Sequence, residues 1–206
     1  MPELQRLRPD HAPALLAFER ENRAYFAASV PDRGDDYFTH FEARHAALLA
    51  EQAAGTCHFH VLVSTDPHAH GEILGRFNLV DVADGSAELG YRVAEKATGR
   101  GLATTTIRHL CTLAAEQYGL TTLRATTTLD NPASRAVLTR TGFAPAGEEL
   151  LLDGRPGLGY VRVLCKSVRT KGPKHEDCSC TWLRDDPATF PRCRFDRSFP
   201  RSPVAQ

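Results

Sequence analysis

Three things are scarce in this sequence: long apolar runs, cysteines, and an excess of charge of either sign. No stretch approaches the ~18 consecutive apolar residues that a membrane span needs, and Met1 to Asp10 lacks the apolar centre of a secretory signal. A cytoplasmic location is the resulting expectation. Six cysteines in 206 residues are too few for a disulfide scaffold. Cys57, Cys111 and Cys165 each sit among apolar neighbours, where a free thiol behaves as a small hydrophobe, as in a reducing compartment. Twenty-five Lys and Arg against twenty-five Asp and Glu give no electrostatic reason to expect a nucleic acid or an anionic membrane as partner.

What is present is globular material. Hydrophobic residues make up 42% and charged residues 24%, enough to close one core, and the length suggests one domain with an appendage. The zero net charge is a cancellation. Residues 1–165 carry 16 basic and 20 acidic side chains, a balance of −4, whereas 166–206 carry 9 and 5, a balance of +4. A mildly acidic domain suits a cationic amine as ligand, and a basic tail suits contact with an acidic partner such as RNA. From Lys166 onward five prolines (173, 187, 191, 200, 203), the single Trp and the absence of apolar periodicity predict a disordered Pro-rich tail over 166–206.

Along residues 1–165 the hydrophobic period changes in an ordered way. Leu15 and Phe18 followed by Tyr25 and Phe26 predict a helix over 10–24. A second helix follows the turn at Pro31-Asp32-Arg33-Gly34, with Phe38, Phe41, His45, Leu48 and Gln52 on one face and Gly55 as its stop. Cys57 to Val63 and Ile73 to Val82 read as strands joined through 66–71, and Ala83-Asp84-Gly85-Ser86 closes a hairpin onto a third strand, Ala87 to Val93. A long helical stripe from Ala103 to Tyr118 then leads to a β-branched strand, 121–129. Asp130-Asn131-Pro132 opens a further helix through Thr141, before the strand-like Gly142-Phe143. A helix joining neighbouring strands makes them parallel, so the expected sheet is mixed, antiparallel first and parallel after.

The most informative segment is Thr98-Gly99-Arg100-Gly101-Leu102-Ala103-Thr104, between a strand and a helix. Two glycines let a ligand approach the backbone, and the free N–H groups of the first helical turn attract an anion. A P-loop is excluded because no Lys follows Gly101. A dinucleotide fingerprint fits poorly, since its third Gly is Thr104 and Glu116 lies inside the helix. The remaining pattern, Gln/Arg-x-x-Gly-x-Gly/Ala, is met by Gly101 and Ala103, and here the chain resembles the GNAT superfamily of acetyl-CoA-dependent N-acetyltransferases. A second block, Asn131-x-x-Ser134-x-x-Val137-Leu138-x-x-x-Gly142-Phe143, resembles the same family. With Glu88-Leu89-Gly90-Tyr91 added, the spacing is most similar to the RimJ/RimL-like branch that acetylates ribosomal-protein N-termini. The resemblance covers about residues 4–165 and departs from the pattern at Thr98, where a Gln or Arg is usual; Arg100 is the candidate to compensate.

That resemblance implies an α/β (α+β) GNAT fold: antiparallel N-terminal strands, a splayed parallel central pair and about four helices. It implies acetyl-CoA as co-substrate, held by Tyr91, Arg92 and Val93 as an added strand and by Thr98, Gly99, Arg100, Gly101, Leu102, Ala103, Thr104, Asn131 and Ser134. It implies direct attack by a neutral amine, with Ser134 protonating the departing thiolate and Glu88 as candidate general base. Phe26, Tyr37, Phe38 and Phe41 are candidate walls for the acceptor, expected to be a protein N-terminal α-amine, with the chain a monomer or homodimer.

Plainer readings stand beside these. Glu88 alternates with Gly90 and Arg92 on one strand face and is equally a solvent-side charge; Asn131 is equally a helix cap; the four aromatic residues are equally core. His58, His60, His68 and His70 lack the carboxylate or Cys that would complete a metal set, and His175, Cys178, Cys180 and Cys193 lack a Cys-x-x-Cys knuckle, so no metal is expected. A small-molecule amine (polyamine, amino acid or antibiotic) is the alternative acceptor. A non-catalytic acyl-CoA-binding module is the alternative from another class.

Overall fold

The computed structural model describes residues 1–165; the predicted tail, with His175, Cys178, Cys180 and Cys193, lies outside the described residues. The sheet is built from β1 (Glu3–Arg6), β2 (His58–Val63), β3 (Ile73–Ala83), β4 (Ser86–Val93), β5 (Thr122–Thr128), β6 (Ala144–Leu152) and β7 (Arg155–Val163). The helices are α1 (Ala12–Glu21), α2 (Arg23–Ala27), α3 (Gly34–Thr39), α4 (Phe41–Ala54), α5 (Leu102–Glu116) and α6 (Pro132–Arg140). None of them is long and apolar enough to cross a membrane. The seven strands form one sheet in the order β1-β2-β3-β4-β5-β7-β6.

The expected mixed sheet is present, with one correction. β4 and β5 are the parallel pair, but the sheet then returns to antiparallel through β5–β7 and β7–β6. The α6 crossover does deliver β6 in the direction of β5, one position further out; β7 then hairpins back into the space between. The turn that permits this is Asp153-Gly154, with φ of 49° and 78°, between the paired residues Leu152 and Arg155. Positive φ at both central positions is what a two-residue turn of matching twist requires, and Asp84-Gly85 does the same between Ala83 and Ser86.

Among the described residues there are six α-helices where about four were expected, because two predicted helices are broken by side chains that compete for the backbone. The expected helix over 10–24 stops at Asn22, whose Nδ2 donates to the Phe18 carbonyl (2.9 Å) while its Oδ1 accepts from the N–H of Glu95 (2.9 Å). Asn in this position offers the chain an alternative to continuing the helix. The second expected helix divides into α3 and α4 at His40, whose Nδ1 lies 3.1 Å from the Asp36 carbonyl.

The sheet separates two apolar layers. On one side α1 to α4 cover Cys57, Phe59, Val61 and Val63, with Leu15, Phe18, Phe26 and Phe41 among the residues above them. On the other, α5 and α6 cover Leu62, Phe77, Leu79, Leu89 and Leu123 with Ile107, Leu110, Ala114 and Leu138. Two-sided cover explains why β2 is buried along its whole length, although its sequence alternates as a half-buried strand would. His58 and His60 are taken up in this packing. His58 stacks on Tyr118 at 3.6 Å between ring centroids, and His60 Nε2 shares a 2.9 Å hydrogen bond with the Tyr118 hydroxyl. Burial, and next the neighbouring His58, push His60 down to about 4.

An imidazole depressed in the folded chain binds its proton more readily when unfolded, so its stabilising contribution is complete above its ordinary value of about 6.5 and is lost as pH falls through 4. At 1.36 kcal/mol per pKa unit, His60 alone removes about 3 kcal/mol over that window, and burial shifts His11, His45 and His58 in the same direction. Urea unfolding followed from pH 7 to 4 should show a falling midpoint, less steep in His60→Gln; a midpoint constant to pH 4 contradicts the assignment.

Candidate active site

The site begins where β4 and β5 part. They pair at Ser86, Ala87 and Glu88 against Thr122, Leu123 and Arg124 and nowhere else. Yet β4 remains paired with β3 as far as Val93, and β5 with β7 as far as Thr128. Each strand is held by its outer neighbour while the two inner edges separate, so the backbone of 89–93 faces 125–128 without a ladder between them. Unpaired strand edges of this kind are templates for an extended ligand.

Glu88 sits at the vertex of this gap as the last paired residue, its Oε1 accepting a 3.0 Å hydrogen bond from the Thr126 hydroxyl across it. Along β4 the alternation puts Glu88, Gly90 and Arg92 on the α1–α2 side of the sheet and Tyr91 on the α5–α6 side. A Cβ built on Gly90 meets nothing within 4 Å, leaving an open slot between Glu88 and Arg92.

On the opposite face the half-buried Tyr91 stacks on Phe77 and donates from its hydroxyl to Ser134 Oγ at 3.1 Å. Burial pushes the phenol up, against a smaller opposing effect of the Ser134 hydrogen bond, so Tyr91 stays a protonated donor at neutral pH. Ser134 is fixed from below by Asn131, which caps α6 by accepting the Ser134 N–H at 3.0 Å. Asn131 is therefore a helix cap, and what it caps orients Ser134.

The glycine-rich turn is open. Gly99 and Gly101 have φ of +73° and +72°, in the left-handed region that favours glycine, and a Cβ on either meets nothing within 4 Å. Gly101 starts α5 without a side-chain cap, which leaves the N–H groups of Leu102, Ala103 and Thr104 free for an anion. Arg100 is exposed beside them. Thr98 turns away, its hydroxyl donating to the Glu95 carbonyl at 2.7 Å.

The four aromatic candidates divide. Phe26 and Phe38 line a crevice with Glu19, Arg23, Arg33 and Arg92. Tyr37 and Phe41 are buried behind it, in edge contact with each other at 5.9 Å, and Phe41 stacks further on His45. The crevice has an ionic floor: Glu19, 1% exposed, lies 3.1 Å from Arg76, 3.3 Å from Arg33 and 3.5 Å from Arg92. Desolvation lowers Arg33 to about 10 in spite of the attraction of Glu19, and lowers Arg92 likewise. Arg155, at the start of β7, pairs with Asp130 at 3.3 Å and donates to the Ser29 carbonyl, tying the β6–β7 hairpin to the loop after α2.

Sequence reasoning missed Glu19, Arg33, Arg76 and Arg155. For Glu19 a signal existed: Leu15, Phe18, Glu19 and Asn22 follow the i, i+3, i+4, i+7 spacing of a buried face, so a carboxylate on that stripe calls for a buried cation. Arg76 likewise interrupts the apolar run 73–82. Arg33 and Arg155 carry no local pattern. Among the described residues no His, Cys, Asp and Glu cluster is arranged to hold a metal ion.

Residues 3–144 match the family described as Acetyltransferase (GNAT) domain. A candidate ribosomal N-acetyltransferase, YdaF of Bacillus subtilis (strain 168), is 34% identical over 80 residues, which is 38% of this chain and 44% of that protein, so the match spans less than half of that relative. A ribosomal-protein-S5-alanine acetyltransferase from Vibrio fischeri superposes with a TM-score of 0.72 at 16% identity, over 79% of this chain and 93% of that one. RimJ of Mycobacterium smegmatis, solved in complex with CoA-disulfide, superposes with a TM-score of 0.68 at 26% identity, over 78% and 80%.

Proposed function

The chain belongs to the GNAT acetyltransferase family, and from that premise we propose that it transfers the acetyl group of acetyl-CoA to the α-amine of a protein N-terminus, by direct attack in a ternary complex. The observation that carries the proposal is the parting of β4 from β5 after three paired residues, a gap with unpaired backbone on both edges, Glu88 at its vertex and the Tyr91–Ser134 hydrogen bond beside it.

The residues divide the work. The backbone of Tyr91, Arg92 and Val93 pairs with the pantetheine arm as an added strand, and the free N–H groups from Gly99 to Thr104 take the diphosphate, with Arg100 beside them. Acetyl-CoA supplies an acyl carbonyl open to attack by a neutral amine. A backbone N–H at Gly90 or Tyr91 steadies the developing oxyanion. Ser134, itself hydrogen-bonded by Tyr91, donates a proton to the departing sulfur. Glu88 takes the proton of the incoming amine from the α1–α2 side.

The acceptor class follows from acidity. An α-amine has a reference pKa of about 8 and a lysine amine of about 10.4, so an N-terminus presents its neutral form near pH 7 with little help from a base. The same reading places the protein in the cytoplasm, where its buried free thiols Cys57 and Cys111 are at home.

Thiol release over a panel of short peptides, polyamines and free amino acids tests the acceptor. Peptides with free N-termini should turn over with the highest kcat/KM; polyamine turnover exceeding that of every peptide would overturn the N-terminal assignment. For the turn, Gly101→Glu places a strained side chain and a negative charge where the diphosphate lies. It should raise KM for acetyl-CoA tenfold or more; an unchanged KM removes 99–104 from the binding site.

A further inference from the structure

The ionic floor of the crevice is unbalanced. Arg33, Arg76 and Arg92 converge on the single carboxylate of Glu19, leaving two buried or half-buried positive charges uncompensated within the cluster. The nearby carboxylates do not supply the balance: Asp32 and Asp35 are both drawn to Arg23, each at 2.6 Å. Arg76 donates to Glu19 and to Asn78. Arg33 meets Glu19 only through its buried Nε, at 3.3 Å and outside hydrogen-bond geometry. Arg92 comes no nearer to Glu19 than 3.5 Å and spends its face on the Phe26 ring at 5.2 Å. Buried guanidinium groups are normally paired and hydrogen-bonded, and a planar guanidinium with free N–H groups fits a carboxylate.

We propose that Arg92 and Arg33 form a carboxylate-recognition site for the acceptor, selecting N-termini whose second residue is Asp or Glu. This rests on the reading that the acceptor enters from the α1–α2 side of β4. Arg33 and Arg92 line the crevice there with Phe26, Phe38 and Arg23, three guanidinium groups against the two carboxylates of Glu19 and Asp32, and Arg92 shares its strand face with Glu88 and the open slot at Gly90. Arg92 lies two residue steps along the strand from Gly90, about 7 Å at ~3.3 Å per step. That is roughly the distance from an α-amine to an acidic side chain on the following residue; the carboxylate of a free amino acid is one carbon from its amine and falls short. The local charge here is opposite to the acidic balance of residues 1–165, so the whole-domain charge does not describe what the acceptor meets.

The test uses the full chain and pairs of peptides differing only in Glu against Gln at the second position. Binding is read by calorimetry in the presence of CoA, and turnover by thiol release. Glu peptides should bind at least tenfold tighter than Gln peptides, the difference should shrink with added salt, and Arg92→Gln should abolish it while Arg92→Lys restores part. Equal binding of the two peptides by the unaltered chain overturns the proposal, as does a free amino acid that binds as tightly as the Glu peptide. Discrimination in binding with no turnover of either peptide sinks the acetyl-transfer reading and leaves the carboxylate site standing; equal kcat/KM for both sinks the carboxylate site and leaves acetyl transfer standing.

Discussion

Replacing Ser134 by Ala should lower kcat about a hundredfold or more while leaving KM for acetyl-CoA within a few-fold. The leaving group is a thiolate whose conjugate acid resembles a free thiol of pKa about 8.5, and a positioned proton donor contributes on the order of 10² to 10⁴ in rate. Ser134 is the positioned hydroxyl: Asn131 holds its backbone, and Tyr91 donates to its oxygen at 3.1 Å, orienting its own proton outward. The substitution is clean because the cap of α6 uses the backbone N–H of Ser134, which Ala retains, so the helix stays in place. Tyr91→Phe removes the second hydroxyl and should reproduce part of the loss. An unchanged kcat in Ser134→Ala removes Ser134 from the chemistry.

The largest stability effect is expected at Glu19. Glu19→Gln leaves Arg33, Arg76 and Arg92 facing one another without the carboxylate that holds them at 3.1 to 3.5 Å. Breaking a buried ion cluster by removing one partner costs about 3–5 kcal/mol. For a chain of this size each kcal/mol corresponds to about 2–4 °C in Tm, so a fall of roughly 6–20 °C is expected in thermal unfolding. A change within 2 °C would mean that the cluster is solvated and carries no structural charge balance.

The legibility of the fold followed the strength of local signals. The central parallel pair and the start of α5 were readable because Gly99, Gly101 and the apolar stripe 103–118 state a turn and a helix in consecutive residues. Of the face Phe38, Phe41, His45, Leu48 and Gln52, readable by its period, the last four are buried on α4, whereas Phe38 falls on α3 and is half-buried. The β6–β7 hairpin was missed although Asp153-Gly154 carries the same turn chemistry as Asp84-Gly85, because the residues around it mix Glu, Arg and Gly and show no clean alternation. The break at Asn22 was invisible because the Asn22 side chain is held by Glu95, a tertiary contact 73 residues away, whereas the His40–Asp36 contact is local and has the i, i+4 spacing of an uninterrupted helix. For the site, the motif positions were legible one by one, but their combination was not: no spacing announces that the Tyr91 hydroxyl reaches Ser134, or that Glu19 meets Arg76 from 57 residues away.

Initial-rate kinetics with acetyl-CoA and an N-terminal peptide both varied, joined to mass analysis of peptide and protein, tests the account most directly. Direct attack in a ternary complex predicts intersecting double-reciprocal lines, one acetyl group on the peptide α-amine and none on the protein. Parallel lines with an acetylated protein, or acetyl-CoA that binds without turning over, would contradict it.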